Sequence, residues 1–134
     1  MKKLSKKVGG RYVDGFVFVV PKKKLAEYRK MAQLGAKVWK KYGALDYKEC
    51  VGDDLQPQAM GGMKAWSFQD MAKAKSKETV WFSYIVYKSK KHRDAVNAKV
   101  MKDPIMNDPK WKDKPMPFDF KRFAYGGFKV IVNA

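Results

Sequence analysis

The chain has one cysteine, Cys50, and one histidine, His92, in 134 residues. A lone cysteine excludes an internal disulfide and fits a reducing compartment, so the protein is expected to be cytoplasmic. One histidine and one cysteine fall short of the donor set of a zinc or haem site, and neither metal nor cofactor is expected. No apolar run approaches the roughly 18 residues that cross a bilayer, so no membrane partner is expected. The sequence also lacks a phosphate-cradling glycine loop, a Cys-x-x-Cys pair and a Ser–His–Asp order, and with them the chemistries those motifs carry. Arginine is scarce too. Only Arg11, Arg29, Arg93 and Arg122 are arginines among the 30 basic residues, although the formal net charge is +17. Arginine supplies the bidentate fork that reads bases and phosphates, whereas lysine is a hydrated point charge. The excess therefore reads as a lysine-rich surface with salt-sensitive attraction to polyanions. RNA or another polyanion remains an alternative partner and not the favoured one.

Residues 1–10 carry the charge of a signal-peptide start. The apolar stretch after them is broken by Asp14 and Gly15, and no small-residue cleavage site follows. They are read as a flexible basic tail ahead of a single domain, residues 11–134.

What the chain does have is strands that are apolar on both faces. In residues 12–20, Val13, Val17 and Val19 alternate with Tyr12, Phe16, Phe18 and Val20. In residues 80–87, Val80, Phe82, Tyr84 and Val86 alternate with Trp81, Ser83, Ile85 and Tyr87. A third such strand spans residues 122–132, with Gly126-Gly127 suggesting a bulge or a close backbone approach. Side chains of a strand alternate with period two, so both faces of such a strand must be covered. Two helices are legible. Residues 22–42 repeat Leu25, Tyr28, Ala32, Ala36, Trp39 and Tyr42 at spacings of three and four, and residues 90–102 follow a Ser89 cap. A more polar strand over residues 44–51 reads as an edge. A short strand is expected near residues 64–68, and residues 103–119, with four prolines, read as a loop.

The order β-α-β-β-α-β is the ferredoxin-like arrangement, an α+β fold with a four-stranded antiparallel sheet and two helices on one face. Two helices leave the other face bare. In so short a chain the expected cover is a second copy, giving a homodimer.

Local motifs point the same way. Tyr12-Val13-Asp14-Gly15-Phe16, Gly43-Ala44-Leu45-Asp46-Tyr47, the run from His92 to Met101, Met116-Pro117-Phe118-Asp119 and Tyr125-Gly126-Gly127-Phe128 together resemble the YbaA-like family of small bacterial proteins, a domain of unknown function. The resemblance covers nearly all of residues 11–132 and implies a dimeric α+β barrel. It brings no activity. Tyr42 stands where that family commonly has histidine, and Phe120 where it commonly has glycine.

His92 is a candidate general base, since imidazole titrates near neutrality. Asp14 is a carboxylate inside an apolar strand. It is either a pocket base or the partner of Arg93 or Arg122, and structural pairing is the favoured reading. Arg93 and Asn97 share a helix face and could hold a ligand anion or fasten the helix to the loop at Asp119. Tyr12, Trp81 and Tyr125 complete the candidate lining, and Trp66, Tyr84 and Phe128 are further aromatics for it. These residues suggest a small aromatic or anionic organic ligand, with a cofactor-free oxygenase or isomerase as the enzymatic version. A structural dimer with no ligand site is the bland alternative.

Overall fold

The computed structural model describes residues 11–134; the basic tail expected at residues 1–10 lies outside them. Four strands form one antiparallel sheet: β1 Tyr12–Pro21, β2 Asp46–Val51, β3 Glu78–Tyr87 and β4 Ala124–Lys129. Their order is β2-β3-β1-β4, so the two-faced strands β1 and β3 are central and the polar β2 is an edge. The helices are α1 Leu25–Lys41, the short α2 Phe68–Ala72 and α3 Lys90–Val100. This is the expected α+β, ferredoxin-like topology.

Helix boundaries follow local chemistry. Pro21 ends β1 and a 3-10 turn over Lys22–Lys24 leads into α1. The Ser89 hydroxyl accepts from the His92 backbone N–H at 3.1 Å and starts α3. The strand expected near residues 64–68 does not form. Ser67 caps α2 instead, accepting from Asp70 N–H at 3.0 Å.

β4 is shorter than the apolar pattern suggests. At its start, Asp119 organises a 3-10 turn over Phe120–Arg122. Past Lys129 the neighbouring strand β1 has already ended, and only Val130 N–H still reaches Arg11 O, at 3.2 Å. Gly126 and Gly127 sit in regular register opposite Gly15 and Asp14, so there is no bulge. A Cβ on Gly127 would come within 2.7 Å of the Tyr12 ring carbons. Close approach is thus what the glycine provides.

The helix-side core has two parts. Tyr12, Val38, Ala44, Ile85, Tyr87, Val96 and Val100 join the end of α1 to α3. Phe18, Val20, Tyr28, Ala32 and Trp81 join the start of α1 to the other end of the sheet. Phe16 packs against both. On the opposite face, α2 packs against β1 and β3 near the buried Val19 and Val80. The rest of that face is apolar and at least partly open: Val13, Val17, Phe82, Tyr84, Val86 and Phe128.

Candidate functional site

Where the two halves of the core meet, they leave a cavity of about 220 Å³ between sheet and helix. β1 supplies Phe16 and Phe18, and β3 supplies Ser83 and Ile85. Tyr28, Met31, Ala32 and Trp39 of α1 form one wall, and Tyr47 and Glu49 of β2 another. The proline-rich segment borders it with Met106, Met116 and Phe118, and Phe123 adds a further ring just before β4.

That segment is tied down at both ends. Buried Asp103 accepts from Tyr42 Oη at 2.7 Å, from Lys41 Nζ at 3.2 Å and from Ile105 N–H at 2.8 Å. Arg122 donates to both oxygens of Glu78 at 2.7 Å and to Asp119 at 2.9 Å. The guanidinium holds the Glu78 carboxyl down at about 2. A long loop with four prolines therefore becomes a fixed strap.

Glu49 is the polar centre of the cavity. Its Oε1 accepts from Trp81 Nε1 at 2.7 Å and from Tyr28 Oη at 3.0 Å, and its Oε2 accepts from Tyr47 Oη at 2.6 Å. Burial, and then the neighbouring carboxylate, push both phenols well above their ordinary range, so both hydroxyls remain donors. Tyr47 and Glu49 also line an outer groove of about 440 Å³ beside α1, with Arg29, Gln33 and Val51. The Tyr47 hydroxyl fits because α1 carries Gly35 beside it; a Cβ there would stand 2.9 Å from Tyr47 Oη.

The residues singled out from sequence fall into separate places. Asp14 and Arg93 meet, with Arg93 Nη1 2.7 Å from Asp14 Oδ1. Arg93 Nε also binds Asp94 at 2.7 Å, and the guanidinium lies 5.1 Å from the centre of the Tyr12 ring. Burial pushes the Asp14 carboxyl above its ordinary value, with Arg93 and Asn97 pulling against it. Asn97 Oδ1 accepts from Trp39 Nε1 at 3.0 Å and from Tyr87 Oη at 3.3 Å. This group fastens α3 to β1 and to α1. Asp119 pairs with Arg122 rather than with α3. None of Tyr12, Asp14, His92, Arg93 and Asn97 lines the aromatic cavity.

His92 is engaged locally. Its Nδ1 accepts from the Lys88 backbone N–H at 2.9 Å and its ring packs edge-on to Tyr87. Burial, then Lys88 and Lys99, lower its pKa. Trp81 is buried and reaches the site through Glu49. Tyr125 is exposed and stacks on Phe16 at 5.8 Å from outside the cavity. Trp66, Tyr84 and Phe128 do not line it either. Among the described residues, no three of His, Cys, Asp and Glu converge to hold a metal ion, and no helix is long and apolar enough to cross a membrane.

Glu49 was not a sequence candidate. The available signal was its phase: Tyr47, Glu49 and Val51 alternate onto the face of β2 that meets α1. A family model described as "Protein of unknown function (DUF1428)" matches residues 11–120. The chain belongs to the DUF1428 family. It is also 44% identical over 123 residues to the "Uncharacterized protein YbaA" of Escherichia coli K12, covering 92% of this chain and 98% of that one. The protein of the same name from Shigella flexneri matches at the same 44% over 123 residues. The DUF1428 match takes in Glu49, both tyrosines and the Asp14–Arg93 pair, and it ends within the strap. Tyr42 bonds Asp103, and Phe120 stacks on Phe123 at 5.4 Å. Both residues thus support the strap.

Proposed function

We propose that this protein binds a small, flat organic molecule in the cavity between its sheet and α1, and that it does so as a homodimer. The observation that carries the reading is a cavity walled by aromatic side chains with one carboxylate, Glu49, on which three donors converge. Small-molecule sites typically combine apolar walls with few fixed polar groups. At about 220 Å³ this one is smaller than a typical site for a drug-sized ligand, which suits a ligand of one or two rings. In the enzymatic extension, a cofactor-free oxygenase or isomerase, the group placed to take a proton is Glu49, since His92 and Asp14 do not line the cavity.

The dimer reading is supported by the open apolar sheet face of Val13, Val17, Phe82, Tyr84, Val86 and Phe128, too continuous to be left to water. Sedimentation is expected to give twice the chain's 15.5 kDa, and Val17→Lys with Phe82→Lys to give the monomer.

Calorimetric titration with indole tests the ligand site. Saturable binding to the wild type and its loss in Ala32→Phe, which fills the cavity, is the expected result. Overpacking costs about 1–3 kcal/mol, so circular dichroism must show the variant folded. Equal binding to both proteins would place the ligand elsewhere and defeat the reading.

A further inference from the structure

The sign of charge inside the cavity is opposite to that of the molecule. The formal net charge is +17, yet among the described residues no lysine, arginine or histidine lines the cavity, and Glu49 is its only acidic residue. Nearly all the described lysines are exposed, where their fields are screened over roughly 8 Å at physiological salt. A ligand in the cavity therefore meets Glu49 and aromatic faces.

Resting on the ligand-site reading above, we propose that the cavity selects a small amine in its protonated form, with the ammonium donating to Glu49 and its apolar part lying against Phe16, Phe18, Tyr28 and Phe118. Three features of the geometry support this. First, a carboxylate has about four lone-pair sites, and Glu49 Oε2 accepts only from Tyr47, so acceptor capacity is left for a ligand N–H. Second, the aromatic rings present negative faces, which attract a cation and repel an anion. Third, a carboxylate or phenolate ligand would be placed beside Glu49 with no cation in the described lining of the cavity to offset it, since Arg29 lines the outer groove instead, a costly arrangement away from water. The two phenols do not change the sign: burial and Glu49 keep them protonated, so the site has one negative group. The inferred ligand is thus opposite in charge to the acidic aromatic that Arg93 and Asn97 suggest from sequence alone.

The test compares three ligands that share one ring and one linker: 2-phenylethylamine, 2-phenylethanol and phenylacetate, each titrated calorimetrically into the full-length protein at neutral pH and physiological salt. The amine is expected to bind about tenfold or more tightly than the alcohol, as a charge-assisted bond is stronger than a neutral one, and phenylacetate to bind most weakly. In Glu49→Gln the advantage of the amine over the alcohol should vanish while the alcohol keeps its affinity. Equal binding of amine and alcohol, or tighter binding of phenylacetate, overturns the amine assignment and leaves the ligand site standing. An amine advantage that survives in a folded Glu49→Gln protein also overturns it. Binding of none of the three defeats both readings. The wild-type ranking needs no variant to fold, so it decides the matter alone if Glu49→Gln is unstable.

Discussion

Gly35→Ala is expected to destabilise the wild type and to stabilise the Tyr47→Phe variant. Glycine in a helix interior costs about 0.8–1 kcal/mol relative to alanine, so propensity alone makes the substitution favourable. The added Cβ, however, would stand 2.9 Å from Tyr47 Oη, with Trp39 Cζ3 and Tyr47 Cζ next at 3.8 Å. The hydroxyl must move, and its 2.6 Å bond to Glu49 goes with it. Losing a hydrogen bond to a charged group costs about 1.5–3 kcal/mol. The net effect in the wild type is then a loss of about 0.5–2 kcal/mol. In Tyr47→Phe the atom at 2.9 Å is gone and ordinary contacts at 3.8 Å remain, so the helix gain of about 1 kcal/mol is recovered. Urea denaturation of the wild type, both single variants and the double variant closes the cycle. If Gly35→Ala changes stability by the same amount in both backgrounds, within about 0.5 kcal/mol, the two residues are not coupled and the account of the Tyr47–Glu49 wall is wrong.

Arg93→Met leaves Asp14 buried without its cation and should cost about 3–5 kcal/mol at neutral pH by denaturant unfolding. Asp14 is already raised by burial, so lowering the pH protonates it and should return part of that loss; a deficit independent of pH would refute the assignment. Glu78 is depressed from 4.5 to about 2 by Arg122, so its contribution is present above pH 4.5 and is lost as the pH falls toward 2. After discounting for its position near solvent, about 1–2 kcal/mol is expected. The stability gap between wild type and Glu78→Gln should close over that range in pH-dependent urea melts. Gly127→Ala drives a Cβ into the Tyr12 ring, and its cost of about 1–3 kcal/mol should disappear when Tyr12→Ala is added.

The sheet was legible because period-two alternation is a direct consequence of strand geometry, and β1 and β3 show it on both faces. Asp14 was legible for a related reason: a charge in an apolar strand demands a partner, and few arginines were available to be it. The partner, Arg93, is 79 positions away, yet charge and scarcity narrowed the choice. His92 drew attention by its rarity, but its Nδ1 is taken by the backbone of Lys88, a local bond that residue type does not announce. Glu49 was hidden by its neighbours. Asp46, Lys48 and Glu49 together make the segment read as an exposed edge, but Asp46 and Lys48 lie on the other face of β2 from Glu49. Two of the donors that converge on Glu49 come from Tyr28 and Trp81, 21 and 32 positions away, so only the register of β2 and the packing of α1 bring them together.

The structure thus treats the carboxylates of Asp14 and Glu49 differently. Asp14 has a guanidinium at 2.7 Å, and removing either partner leaves the other exposed to the cost of burial. Among the described residues Glu49 has only neutral donors, so its charge is solvated by dipoles and not cancelled by an ion pair. A protein selected for stability alone gains little from that arrangement, because a neutral amide could accept from Trp81 and Tyr28 through its oxygen and donate an N–H to the Tyr47 hydroxyl, without the cost of desolvating a charge. Glu49→Gln weakens three charge-assisted bonds but lifts the cost of desolvating the charge, so it is expected to lower the unfolding free energy by less than about 3 kcal/mol while removing the preference for a cationic ligand. A loss above about 3 kcal/mol in denaturant unfolding would make Glu49 a structural keystone like Asp14 and refute the expectation that a neutral amide can stand in for it.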